Sequence, residues 1–228
     1  MNNNNCIIQM LNVSKKFKKN FALKNINLNV KKGEFIFLSG PAGSGKSILL
    51  KVLYLAEKIT NGKILIDGID LAKVSSKKLA LLRRRFGMIF NDFKLIPNLT
   101  VYENVALVLQ ASGEKETDIK EKVMSVLQTT NMEKKYKDLP PSLSGGEQQR
   151  TAVARALVAK PSIILADEPT ASLDYKSGQE ILDLLVQYHK NDATILIASH
   201  NLHLLKSTVQ GRNIQIDKGQ IKSNIVML

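Results

Sequence analysis

Residues 40–47 read Gly40-Pro41-Ala42-Gly43-Ser44-Gly45-Lys46-Ser47, the G-x-x-x-x-G-K-S pattern of a phosphate-binding loop. The residue types answer to that chemistry. Glycines let backbone N–H groups curl around an anion with no Cβ in the way. The start of a following helix adds a partial positive charge. The Lys46 ammonium can reach the β- and γ-phosphates, and the Ser47 hydroxyl can ligate Mg²⁺. The segment therefore predicts a bound nucleoside triphosphate.

Three further groups could act on such a ligand. The apolar run Ile163-Ile-Leu-Ala ends in Asp167-Glu168. One carboxylate can hold Mg²⁺, directly or through water, and the other can orient the water that attacks the γ-phosphate. His200 ends another apolar run, on the ligand side of an open parallel sheet. Paired with His203 it could instead hold a metal, but no third ligand accompanies the two. Leu143-Ser144-Gly145-Gly146-Glu147 combines a Ser-x-x-Glu capping box with two glycines that would leave a helix start bare, which makes it a second candidate for an anion. Phe17, in a basic turn, could stack on a base or simply pack.

The elements that must position these groups follow from periodicity. Residues 6–13 and 21–30 predict antiparallel strands joined by the basic turn at 15–20. Phe35–Leu38 predicts a buried strand feeding the loop, with a helix from Lys46. A strand at 63–66, a helix at 76–84 and a buried strand at 86–90 come next. From about 91 to 160 the pattern is mostly helical, with a capping box at Thr100/Glu103 and i,i+4 pairs Glu116/Lys120 and Asp118/Lys122. That predicts a helical lobe (91–160) inserted into a nucleotide-binding core formed by 1–90 and 161–228. A helix at 177–189, a strand at 193–198 and a hairpin at 213–226 close the chain.

At 228 residues with 44% hydrophobic content, the chain can bury a sizeable core. Its single cysteine, Cys6, excludes an internal disulfide and fits a reducing compartment. The Asn-rich start is unlike a secretory signal, and no apolar run is long enough to cross a bilayer. A soluble protein is expected, with any membrane role exerted through a partner. The formal net charge of +13 is concentrated at 15–19, 73–85 and 115–137. Nucleic acid, an anionic membrane surface or a plain lysine-rich surface would each account for it. With 5% aromatics and no nucleic-acid motif, nucleic acid is not the expected partner.

Taken together, these residues resemble the nucleotide-binding subunit of ATP-binding cassette (ABC) systems over essentially the whole chain. The loop 40–47, the signature Leu143-Ser-Gly-Gly-Glu-Gln-Gln-Arg150, Asp167-Glu168-Pro-Thr, Ser172-Leu-Asp174 and His200 occur in that family's order. Leu82-Arg-Arg-Arg-Phe-Gly-Met-Ile-Phe90 and Asp92–Ala106 are similar to the FtsE-type cell-division branch, whose neighbours are lipoprotein-releasing and macrolide-export ATPases. The resemblance implies an α/β P-loop ATPase core with an antiparallel β-subdomain and an inserted helical subdomain. It implies ATP and Mg²⁺ as ligands and a head-to-tail homodimer formed on ATP binding, in which Ser144 and Gly146 face the γ-phosphate held by the other subunit. It also implies base stacking by Phe17, a communicating role for Asp174, γ-phosphate sensing by His200, and an integral membrane partner similar to FtsX, through which a cytoplasmic chain would sit at the inner face of the cell membrane. Two positions depart from the family pattern. Asn91 stands where glutamine is usual, one methylene short of its reach toward Mg²⁺ or the attacking water, which implies weak basal hydrolysis. Asn201 replaces the acidic residue that often follows the histidine.

Overall fold

The computed structural model describes residues 5–171, 173–199 and 209–227. Ten strands and six α-helices are assigned within them. Strands β1 (Cys6–Phe17), β2 (Asn20–Lys31), β4 (Asn61–Ile66) and β5 (Ile69–Asp70) form an antiparallel sheet in the order β2-β1-β4-β5. A second sheet has the order β10-β9-β3-β8-β7-β6. Its members are β3 (Phe35–Ser39), β6 (Phe86–Ile89), β7 (Ile163–Asp167), β8 (Thr194–Ala198), β9 (Gly211–Asp217) and β10 (Gln220–Met227). Within it β6, β7, β8, β3 and β9 run parallel, and only β10 is antiparallel.

The central strands are continuous apolar runs because both faces of this sheet are covered. Successive side chains point to opposite sides. Phe35, Phe37, Ile164, Ala166, Ile195 and Ile197 enter one core, with α3 (Val101–Ser112), α4 (Glu116–Thr129), α5 (Gly145–Leu157) and α6 (Tyr175–Lys190). Ile36, Leu38, Ile163, Leu165, Leu196 and Ala198 enter the other, against β1, β2, β4 and α1 (Lys46–Leu53). Helix α2 (Ser76–Arg83) precedes β6. No helix among the described residues is long and apolar enough to cross a membrane.

Two expectations are corrected. Strand β1 runs through Phe17, which pairs with Asn20, so the turn shrinks to Lys18-Lys19 and Phe17 ends a strand. Register shifts along β1 absorb the polar residues that had suggested an earlier end. On α4, Lys122 binds Glu114, ahead of the helix, at 2.6 Å in place of Asp118.

Candidate nucleotide site

Helix α1 leaves the carboxyl end of β3 through the 40–47 loop, and Gly45, at φ +112, starts it without any side-chain cap. Its first amides therefore point into the loop. Two glycines there are required by close approach. A Cβ on Gly40 (φ +140) would lie 2.0 Å from the Ile216 carbonyl oxygen, and one on Gly45 2.6 Å from that of Ala22. Behind the loop, the Gly219 N–H donates to the Ser44 carbonyl (2.8 Å), and the Gly219 carbonyl accepts from the Lys24 N–H (2.8 Å). The β9–β10 turn and β2 thus brace the loop from the back. Nothing in the sequence signals this brace, because its partners lie far apart along the chain. Gly40→Ala is expected to cost about 3 kcal/mol or more, since backbone must shift. Gly43→Ala, where a Cβ meets open space at φ +72, should cost only about 1 kcal/mol. Urea unfolding of the two variants checks this, and equal losses would refute it.

Lys46 is only 7% exposed, and its ammonium donates to the carbonyls of Gly40 (2.8 Å) and Pro41 (3.1 Å) and so lies across the loop's mouth. Ala22, Gly43, Ser44, Gly45, Lys46, Ser47 and Ile48 line a cavity of about 140 Å³ there. The Ser44 hydroxyl is buried with no hydrogen-bond partner among the described residues, which suits a loop that takes an anion.

Strand β7 runs beside β8 and ends next to the loop. The Ser47 hydroxyl donates to Asp167 Oδ1 at 2.8 Å, across 120 residues of chain. Burial pushes the Asp167 carboxyl up, partly offset by that bond. A buried carboxylate beside a hydroxyl is an oxygen pair that fits Mg²⁺, which takes few protein ligands and completes its shell with phosphate oxygens and water. Glu168 follows in the left-handed region (φ +49), with its N–H donating to the Ala198 carbonyl at 2.8 Å. The tie between β7 and β8 holds a strained backbone at the sheet's carboxyl edge, where ligands bind in parallel α/β folds.

Asn91 reaches the same edge. Ile89 pairs with Ala166 in the β6–β7 register, so Asn91 and Glu168 each lie two residues beyond that pair. Asn91 is exposed. Phe17 is 44% exposed, with the Lys15 ammonium 4.5 Å from its ring centroid.

The signature stretch starts α5 with a reciprocal capping box. Ser144 Oγ accepts from the Glu147 N–H (3.4 Å), and Glu147 Oε2 accepts from the Ser144 N–H and Oγ–H (each 2.9 Å). Glu147 Oε1 also pairs with Lys135 at 2.8 Å. Lys135 first, then the Ser144 N–H, hold the Glu147 carboxyl down to about 2. The expected Ser144/Glu147 capping box therefore forms, with the carboxylate on the Ser144 N–H, ahead of Gly145-Gly146. A Cβ on Gly145 would meet nothing within 4 Å, so the surface in front of the cap is open. Asp174 caps α6, accepting from the Ser177 N–H at 3.0 Å, and this bond lowers its pKa. His200, Ser172, Asn201 and His203 lie outside the described residues.

A parallel sheet with a phosphate-type loop on one strand and paired carboxylates on another defines a P-loop nucleotide-binding protein. The chain belongs to the ABC transporter family, whose model matches residues 23–171, and it is an ATP-binding ATPase of that family. It is 41% identical over 216 residues to the cell division ATP-binding protein FtsE of Streptococcus pneumoniae (strain D39), covering 94% of each chain. It is 39% identical to the methionine import ATP-binding protein MetN of Haemophilus influenzae (strain 86-028NP), covering 94% of this chain and 64% of that one. Among solved structures it is similar to the dimeric, post-hydrolysis ATP-binding cassette MJ0796 bound to ADP and Pi. That match has a TM-score of 0.91 at 35% identity and covers 97% of this chain and 99% of the other.

Proposed function

We propose that the chain is the ATP-hydrolysing subunit of an FtsEX-like membrane complex. In it, ATP-driven homodimerisation bends a membrane partner similar to FtsX and so regulates cell-wall hydrolysis in cell division. The observation that carries the enzymatic part is the meeting of Lys46 and Ser47 with Asp167 and Glu168 at one sheet edge. The division role rests on the 94% mutual coverage with FtsE.

In this reading Lys46 exchanges its loop carbonyls for phosphate oxygens, joined by the amides of residues 40–47 and the start of α1. Ser47 and Asp167 would hold Mg²⁺, which neutralises charge on the phosphates when bound, and Asn91 would contribute through water. Glu168 orients the attacking water, and His200 senses the γ-phosphate. Phe17 stacks on the base. Ser144, Gly145, Gly146 and Glu147 of the second subunit close the site, and Asp174 links the two. Positioning and charge stabilisation supply most of the rate in such a site.

In this reading the membrane partner docks in the groove of about 450 Å³ between α2, β6, α3 and α5. Its floor includes Phe86, Met88 and Val108, and its rim Arg83, Arg84 and Lys94. The Arg84 guanidinium donates to the carbonyls of Ala111 and Ser112, fixing the α3 end of that rim. A helical segment with an apolar face and acidic flanks suits it. Co-expression with an FtsX-type membrane protein should give a complex that survives purification and hydrolyses ATP several-fold faster than the subunit alone. Stimulation by DNA or RNA in its place would overturn the reading. The MetN similarity supports a second reading, the ATPase of a transporter, which predicts stimulation by a solute or its binding protein.

A further inference from the structure

The turn after Asn91 carries backbone strain that the proposed chemistry leaves unexplained. After Asn91, Phe93 and Lys94 both adopt left-handed backbone (φ +57 and +51), although neither is glycine. Consecutive non-glycine residues of this kind persist only when their surroundings impose them. The Lys94 N–H donates to the Asp92 carbonyl (2.6 Å), and the Lys94 ammonium pairs with the Asp92 carboxylate (2.6 Å). The remaining restraint comes from another element. Arg155, in the last turn of α5, donates Nη1 to the Lys94 carbonyl (2.5 Å) and Nη2 to the Phe93 carbonyl (2.6 Å). It is half-buried, and no ion pair among the described residues engages it. A guanidinium fork that grips two successive carbonyls fixes orientation as well as distance, which an ammonium cannot do.

We infer that Arg155 is a positioning residue that ties the Asn91 turn to the signature helix. Helix α5 is one rigid rod from Gly145 to Leu157, with Ser144 at its head and Arg155 near its tail. A movement of Ser144 onto a nucleotide is thereby transmitted to residues 93–94 and sets where Asn91 stands beside Glu168. Lys94 and Arg155 also line the groove assigned to the membrane partner, so an occupant there would press on the same link. The inference rests on the proposed role of Asn91 in hydrolysis.

The test uses the full chain with Mg-ATP and the variants Arg155→Lys, Asn91→Ala and their combination. Arg155→Lys should bind ATP with unchanged Kd and hydrolyse it about tenfold more slowly. Amide exchange should quicken at 92–95 and stay unchanged in α1 and the first turns of α5. In the Asn91→Ala background the same change should slow hydrolysis little further, because the residues act as a unit. Wild-type hydrolysis in Arg155→Lys beside a slow Asn91→Ala enzyme would overturn the inference alone. Wild-type hydrolysis in Asn91→Ala would remove the Asn91 reading, and the inference with it. Unfolding at lower denaturant with quickened exchange throughout α5 would make Arg155 merely structural, again overturning it.

Discussion

Glu168→Gln is expected to retain ATP at the wild-type level or better while hydrolysis falls by about 10²-fold or more. The substitution keeps the side chain's size, and the backbone bond from the residue 168 N–H to the Ala198 carbonyl survives, so the β7 edge and its left-handed residue stay in place. What is lost is a negative charge able to accept a proton from water. That charge also pushes the neighbouring Asp167 carboxyl up, so its removal lets Asp167 ionise more readily beside Ser47. Less negative charge near a triphosphate favours binding, and a site that binds without turning over should accumulate a closed dimer. Size-exclusion chromatography in Mg-ATP, together with a phosphate-release assay, reads both effects. Turnover at the wild-type rate would remove Glu168 from the mechanism.

Ser144→Phe should also separate binding from catalysis, but by keeping the dimer from closing. Ser144 caps α5 reciprocally with Glu147, so losing its hydroxyl costs about 1 kcal/mol of helix stability. A ring there also fills the open space in front of the helix start, where the other subunit's nucleotide is proposed to dock. Nucleotide binding to the loop at 40–47 should change by no more than about twofold, since that loop lies on other elements. Hydrolysis should fall by about 10²-fold or more because the assembled site cannot close. Ser144→Thr, which keeps a capping hydroxyl, should restore most of the activity. A Ser144→Phe chain that dimerises in ATP and hydrolyses it normally would rule out the shared site.

Much of the fold was legible because its determinants are consecutive residues. Phe35–Leu38, Ile163–Ala166 and Ile195–Ala198 are unbroken apolar runs, and a run this short that is apolar on both faces is a buried strand. The capping boxes at Thr100/Glu103 and Ser144/Glu147 are local signals with a three-residue period, and both form. One of them was half read. That Ser144 and Glu147 cap α5 could be seen in the sequence, but that the Glu147 carboxylate also holds Lys135 could not, since Lys135 reaches it across a loop.

The sequence by itself determined which short segments turn, which run straight and which residue types stand at their ends. Those properties come from backbone sterics and from side-chain periodicity within a few residues. Only the tertiary structure decided that Ser47 touches Asp167, that the Ile216 carbonyl leaves room for nothing but glycine at position 40, and that Arg155 grips the turn after Asn91. Such distances depend on strand order and register, β10-β9-β3-β8-β7-β6. That order is fixed by how two whole hydrophobic layers pack on the sheet at once, a sum over the entire core that no local stretch of chain carries.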